Sequence, residues 1–358
     1  MRFIFRTSYD QDIRLIQHGG QAFWYGLLLV ALVAAPALVS EYYLSQFTFV
    51  CIYALIGVGL MLLTGYTGQV SLGHAAFLAV GAYTEAALQA QGVPFGVSII
   101  AAGVLAGLAG IVIGLPALRL TGIYLVIATI AFGFIVQEVV TRWESVTRGN
   151  SGLALKSISV AGFTFDEEWK LYYLALFILA LVIVGILNLL RAPTGRAFVA
   201  IRDSEVSAQS MGINLARYKT VAFALSAAIT GVAGALYAHK LVFISPEQFN
   251  ILLSIELAMM IFIGGVGSLH GAVYGAIFII ALPQMISVTK DYLPAGVGHL
   301  TGLEPVVFGL IMVLIILFEP MGIYGRWLKV RHYLQTFPLY KKDSFRRQKT
   351  FMKSDRLR

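Results

Sequence analysis

Residues Leu44 to Leu63 read Leu-Ser-Gln-Phe-Thr-Phe-Val-Cys-Ile-Tyr-Ala-Leu-Ile-Gly-Val-Gly-Leu-Met-Leu-Leu, twenty positions without a charge. At about 1.5 Å of rise per residue, such a run makes a helix about 30 Å long, the thickness of a bilayer's hydrocarbon core. Nine further apolar runs follow or precede it, near Ala22 to Val39, Leu72 to Ala90, Gly96 to Leu118, Ile123 to Thr141, Leu171 to Leu190, Thr220 to His239, Ile251 to Gly265, Gly271 to Ser287 and Pro305 to Phe318. Across the whole chain 58% of residues are apolar and 12% charged, whereas a soluble domain carries about 25% charged residues. The fold class expected is therefore an all-α polytopic membrane protein of about ten transmembrane helices. A membrane β-barrel would alternate polar and apolar residues over about ten positions, and these runs do not.

The segment before Ala22 is mixed and charged (Arg2, Arg6, Asp10, Asp12, Arg14), without the short basic start and small-residue cleavage site of a signal peptide, so the first span reads as a retained anchor. Cys51 is the single cysteine, which excludes a disulfide framework or cysteine metal site within one chain. With residues 1–21 placed inside the cell, twenty of the 26 Lys and Arg fall in inner segments, as the retention of positive charge on the cytoplasmic side requires. Both termini are then expected in the cytoplasm of a cell whose inner membrane residues 22–325 cross. Residues 326–358 read as a basic tail, solvated or held near anionic lipid.

Two loops are long enough to meet other proteins. Residues 142–170 lie outside on this topology and contain Trp143 and the acidic run Asp166, Glu167, Glu168. Residues 191–219 lie inside and carry an apolar stripe at Phe198, Ile201, Ala208 and Met211, with Arg202, Asp203 and Glu205 on other faces, which predicts a short amphipathic helix at the cytoplasmic surface.

Glycines at helical spacing (Gly103, Gly107, Gly110, Gly114; Gly271, Gly275) make smooth faces that let helices approach closely in lipid. Two other stretches mix glycine with polar residues at apolar depth: Gly65, Thr67, Gly68, Gln69, Ser71, Gly73, His74, and then Gly264, Gly265, Gly267, Ser268, His270, Gly271. Each places Ser-Leu three and four residues after a glycine, and an alanine seven after it (Gly68 and Ala75; Gly265 and Ala272), the outline of an internal repeat. Broken helices with this composition line transporter pathways where they are enclosed by protein, and the same residues also suit tight turns. Thr67, Gln69, Ser71, His74, Gly264, Gly265 and Ser268 are thus candidate pathway positions. Glu256 joins them, because a carboxylate at mid-bilayer costs about 2.5–3.5 kcal/mol and faces protein or water. Glu85 has the same property, and for both a structural, paired role stays open. Glu138 and Glu319 fall at span ends.

No phosphate-binding glycine loop, no paired-histidine zinc motif and no segment long enough for a nucleotide-binding domain is present, so the chain holds no cofactor of its own and any ATP hydrolysis belongs to another subunit.

Longer motifs carry a family likeness. Gly65-Tyr-Thr-Gly-Gln-Val-Ser-Leu-Gly-His-Ala-Ala-Phe77, Pro116-Ala-Leu-Arg-Leu-Thr-Gly-Ile-Tyr124, Thr194-Gly-Arg-Ala-Phe-Val-Ala-Ile-Arg-Asp203, Met211-Gly-Ile-Asn214, Ile244-Ser-Pro-Glu247 and Gly264-Gly-Val-Gly-Ser-Leu269 occur in order along the chain. In these the sequence resembles the membrane permease subunits of branched-chain amino acid ABC importers, the M-type member of the pair, from about Leu44 to Gly325. The resemblance implies a ten-span permease fold and four kinds of partner besides membrane lipid: a second permease of H type, two cytoplasmic ATP-binding subunits, and a periplasmic substrate-binding protein. It involves no nucleic acid. It also implies that Gly195 to Asn214 is the segment that docks into the ATPases, with Gly195, Arg196, Arg202, Asp203, Glu205, Met211 and Gly212 as the coupling residues. Two places depart from the family pattern: Thr147-Arg-Gly-Asn-Ser-Gly-Leu153 lacks two adjacent glycines after the threonine, and Ser204-Glu-Val-Ser-Ala-Gln-Ser210 is more polar than the usual alanine-rich form. Relatives also carry urea and short amides. Outside the resemblance, a proton-coupled transporter using Glu256 or Glu85 and a non-transporting scaffold or receptor remain as alternatives.

Overall fold

The computed structural model describes residues 19–117, 120, 122–160, 163–290, 303–319 and 321–336. The charged residues expected before the first span, Arg119 and the basic run after position 336 lie outside them.

Helix α1 spans Gly19–Leu38 and α2 spans Glu41–Leu60, continued by a π-helical turn Met61–Tyr66. Then follow α3 (His74–Ala90), α4 (Phe95–Ala117), α5 (Ile123–Arg142) and the single turn α6 (Glu144–Thr147). Helix α7 (Glu168–Arg191) leads through two short helices, α8 (Pro193–Asp203) and α9 (Glu205–Ser210), into α10 (Leu215–Leu241). Helices α11 (Ile251–Gly264), α12 (Leu269–Lys290), α13 (Leu303–Phe318) and α14 (Gly322–Thr336) complete the described chain. The all-α membrane architecture expected from the sequence is present. Among the described residues six helices are long and apolar enough to cross a bilayer, and α13 and α14 form a pair bent by 47°, a broken span or a re-entrant loop.

Every apolar run identified in the sequence falls on a helix, with three corrections. The third run begins at His74 and not at Leu72, which leaves a helix of 17 residues. At about 25 Å it is short for a bilayer, but most of its side chains are enclosed by protein and need no lipid. The run at Ile251–Gly265 is likewise a short apolar helix, Ile251–Gly264. The seventh run, expected from Thr220 to His239, extends to Leu215–Leu241 because Asn214 caps its first turn, accepting from the Arg217 amide at 3.1 Å.

Two helices make the centre. In the most apolar stretch of α2 and its π turn 83% of residues are buried, and 67% in α10, against 17% in α7. Helix α10 reaches this position because it is built of Ala, Gly, Ser and Thr on several faces. The glycine face of α4 lies on it: a Cβ at Gly107 would meet the Ala224 carbonyl and Ala228, and one at Gly110 would meet Ala227 and the Phe223 carbonyl. On the other side Gly81 of α3 lies against the backbone of Gly231 with no room for a methyl group. In lipid, where apolar side chains gain nothing from leaving the solvent, this close backbone packing is what holds helices together. The outward faces of α7 (Phe177, Leu181, Val184) and α5 (Ile127, Phe134, Ile135) are apolar and exposed, as a lipid boundary requires.

The loop between α5 and α7 folds back over one end of the bundle. Leu153–Ala154 (β1) pairs antiparallel with Phe243–Ile244 (β4) just beyond α10, and Ser159–Val160 (β2) pairs with Phe163–Thr164 (β3). Arg148 is left-handed (φ 58°), and Gly152 (φ 68°) passes over the Phe243 ring where a side chain would collide. Gln89 at the end of α3 pins the loop by a reciprocal pair of bonds to the Lys156 backbone, 2.8 and 3.1 Å.

Candidate functional site

The first glycine-polar stretch is a real break. After Leu60 the helix widens into a π turn, which leaves the Leu63 carbonyl without its ordinary partner. Thr67 Oγ1 donates to it at 2.5 Å and the Gln69 amide at 3.1 Å, so the chain end is closed locally. Gly68 turns the backbone with φ 72°. Thr67 and Gln69 are both buried; the Gln69 amide nitrogen reaches Thr67 Oγ1 at 3.4 Å, while its Oε1 has no partner among the described residues.

Beyond the turn, residues 71–75 anchor the start of α3 to α10 and through it to α2, and to α5 and α11. The Ser226 hydroxyl of α10 donates to the Gly59 carbonyl of α2 at 2.7 Å, so it accepts from His74 Nε2–H at 2.9 Å. His74 Nδ1 then accepts from the Ser71 hydroxyl at 3.1 Å, and Ser71 Oγ accepts from the Gly73 amide at 3.3 Å. This chain of donors and acceptors is complete for a neutral imidazole with its hydrogen on Nε2. Thr129 of α5 accepts from the Leu72 amide at 3.0 Å, and Ser254 of α11 from the Ala75 amide at 3.1 Å. His74, with no exposed surface, is therefore a cross-brace.

The second stretch is also a break, and the two meet. Helix α11 ends at Gly264; Gly265 (φ 115°) and Gly267 (φ 89°) carry the chain to α12, and Ser268 is buried at its start. The Gly267 amide donates to Met61 Sδ at 3.2 Å, and a Cβ at Gly65 would lie 2.8 Å from the Gly267 nitrogen. Gly264 in turn packs on the Gly271 carbonyl and Gly275. The sequence likeness between the stretches thus corresponds to two helix ends in van der Waals contact.

Onto this junction docks the segment between α7 and α10. The amphipathic helix expected over Gly195 to Asn214 is two helices that part at Ser204, because the extended Ser204 begins a new N-cap, accepting from the Ser207 amide at 3.2 Å. Gly195 has no space for a Cβ beside Leu190, which permits the sharp turn out of α7. Phe198, Ile201 and Ala208 face inward as the stripe predicts, Ala197 is buried with them, and Phe198 meets Tyr218 edge-on with centroids 6.3 Å apart. Met211 departs from that stripe: it caps α9 and is 82% exposed, as Val206 is at 80%. Arg196 donates to the Arg191 carbonyl at 3.0 Å, and Gly212 takes φ 84° in the turn before Asn214. Arg202 Nη1 donates to the Gly65 carbonyl at 3.3 Å, its Nε and Nη2 hold Asp203 at 3.0 and 2.9 Å, and its stem covers Gly68. Glu205 meets the buried Lys219 of α10 at 2.7 Å. Of the coupling residues named from the sequence, Arg202 reaches the first break, at Gly65 and Gly68, and holds Asp203 beside it.

Two of the candidates stand apart from it. Glu85 is fully buried and its Oε1 meets His239 Nε2 at 3.0 Å, a pairing between α3 and α10. Glu256 lies half-buried on α11.

The family model for the branched-chain amino acid transport system permease component matches residues 42–316. The chain belongs to that permease family. It is 32% identical over 321 residues to the high-affinity branched-chain amino acid transport system permease protein LivM of Escherichia coli strain K12, covering 83% of this chain and 73% of the relative. The probable LivM of Methanocaldococcus jannaschii is 26% identical over 63% of this chain and 68% of its own length. LivH of the same Escherichia coli strain is 26% identical over 76% of this chain and 91% of its own. No solved structure matches. The match covers both breaks and the docked segment, so this multi-pass permease is a LivM-like transport component. Sequence reading missed Ser226, Ser254, Thr129 and Lys219 of its network: small hydroxyls on apolar helices look like packing residues, and Lys219 looks like a flanking charge.

Proposed function

We propose that this permease is the pathway-forming subunit of an ATP-driven importer for branched-chain or related amino acids, working beside a second, H-type permease, two ATP-binding subunits and an external substrate-binding protein. One observation carries the reading: α9 and its C-cap expose Val206 and Met211 while Arg202, on the adjoining α8, holds the carbonyl of Gly65 at the broken end of α2. A movement imposed on the exposed side by a docked ATPase is passed to the helix ends through packed side chains that resist deformation. On this reading α8 and α9 face the cytoplasm, with both termini. LivH among the relatives supports a paired second permease.

Co-expression with neighbouring genes, purification in detergent and reconstitution tests this. Recovery of a second permease and two ATPases, with uptake of leucine that requires ATP, is expected. Uptake by this chain alone that collapses with the proton gradient would establish the proton-coupled alternative instead.

A further inference from the structure

We infer that α14 lies in the headgroup layer of the membrane and binds anionic phospholipid there. Its outward face carries Ile323, Trp327, Val330 and Leu334, spaced four, three and four residues apart, so that they form one stripe along the helix. Trp327, Val330 and Leu334 are exposed. Arg326 and Lys329 stand on one side of the stripe and Arg331 on the other. Elsewhere on α14 the first turn is packed against protein. Gly322 and Gly325 are buried, and Tyr324 stacks on His270 of α12 with centroids 5.7 Å apart. A Cβ at Gly322 would overlap the Ile263 carbonyl and the Gly265 amide nitrogen, so α14 begins in contact with the second break.

Three cations within six residues exclude this helix from the hydrocarbon core, where each would be strongly disfavoured. Open water does not suit it either, because the stripe continues the exposed apolar side of α13 through Leu314, Leu317 and Phe318 to Met321 at the bend. A helix with an apolar face that includes tryptophan, and with basic residues beside that face, settles where acyl chains meet headgroups. Glu319, just beyond α13, accepts from Arg326 and lies 3.7 Å from Lys329, and so braces the 47° bend that turns α14 away from α13. One carboxylate against these three cations leaves the group positive. The sequence goes on in the same sign, with Lys341, Lys342, Arg346, Arg347 and Lys349. Charge complementarity therefore selects headgroups of net negative charge over zwitterionic ones. Lipid held by α14 also steadies the chain at Gly264 and Gly265, on which its first turn sits.

The test places a photoreactive side chain on the stripe, Trp327→p-benzoylphenylalanine, with Leu334 as a second position on the same face. The full-length chain, purified with the subunits that accompany it, is reconstituted into vesicles of phosphatidylglycerol and phosphatidylcholine in equal amounts. The same substitution at Phe177, on the exposed side of α7, reports the bulk lipid. After irradiation the adducts are identified by mass. The ratio of phosphatidylglycerol to phosphatidylcholine adducts on the stripe is expected to exceed that at Phe177 at least about fivefold, the factor that a single basic residue contributes at an anionic surface. Adding Arg326→Gln, Lys329→Gln and Arg331→Gln together is expected to bring the ratio down to that at Phe177. Should this variant fail to accumulate, irradiation in about 1 M salt, where charges are screened beyond about 3 Å, is expected to do the same. Equal ratios on the stripe and at Phe177 overturn the proposal, as does an enrichment that neither the substitutions nor salt removes. An adduct to a second protein in place of lipid also overturns it, the stripe then being a contact between subunits.

Discussion

Arg202 on α8 and the carbonyl of Gly65 at the end of α2 are joined by a hydrogen bond of 3.3 Å, across 137 residues of sequence. Gly65 stands in the π turn against the second break, so this one contact ties the exposed elbow to both broken helices. A charge-assisted bond to a carbonyl contributes about 1.5–3 kcal/mol when enclosed, and less here because the Arg202 side chain is 37% exposed. Arg202→Ala is therefore expected to insert and assemble normally while ATP-driven uptake falls several-fold. Comparing ATP hydrolysis with uptake in the same reconstituted sample measures this; equal coupling ratios in variant and wild type would refute the linkage.

The Glu205–Lys219 pair is asymmetric: Lys219 is 3% exposed and Glu205 39%. Removing Glu205 strands a buried ammonium, whereas Lys219→Met removes the charge and keeps the apolar stem. Glu205→Ala should hence be the more destabilising change, by about 1–2 kcal/mol relative to Lys219→Met, after allowing for the solvated side of the pair. The single, buried Cys51 supplies the assay, since a thiol-reactive dye in detergent reports the unfolding of α2 alone. Equal melting temperatures for the two variants would contradict the asymmetry.

Helix positions were legible in the sequence because uncharged runs such as Leu44 to Leu63 have few physical alternatives in water or lipid. The breaks were legible as composition, through Gly65 to His74 and Gly264 to Gly271, but their contact was not. Juxtaposition of residues 200 positions apart depends on which small-residue face packs on which, and Gly231 gives no sign that it is met by Gly81 and not by some other glycine. The fate of Met211 shows the same limit. Its spacing from Ala208 is helical, yet α9 ends at Ser210, and Met211, its C-cap, leaves the helix and stands exposed.

Glycine contacts separate packing from lipid exposure in a way that substitution tests directly. A Cβ at Gly81 would overlap the Gly231 carbonyl, and one at Gly234 would overlap the Leu78 carbonyl, so neither α3 nor α10 has room to yield without moving backbone. Gly133 and Gly185 have nothing within 4 Å. Gly81→Ala and Gly234→Ala are expected to destabilise by about 1–3 kcal/mol or more, and Gly133→Ala and Gly185→Ala to stabilise slightly by reducing the freedom of the unfolded chain. Dye-monitored melting and the amount recovered from membranes check the sign; a destabilising Gly133→Ala would show that a partner subunit covers α5.

His74 offers the sharpest test of the cross-brace, because its two ring nitrogens have different tasks. Nε2–H reaches Ser226 on α10, and Nδ1 reaches Ser71 within its own chain end. Gln in place of His74 keeps a donor of suitable length towards Ser226 and loses the Ser71 bond; Ala loses both and leaves a cavity, which costs about 2–5 kcal/mol for a large buried side chain. His74→Gln should thus melt well above His74→Ala. Ser226→Ala removes the acceptor of His74 and the donor to Gly59 together, so it should cost more than Ser71→Ala. Combined with His74→Ala, Ser226→Ala should add less than it does alone, a coupling of about 1 kcal/mol. Strict additivity would mean that the imidazole and this hydroxyl do not share a bond, and the start of α3 would then be held by the Thr129 and Ser254 hydroxyls at its amides.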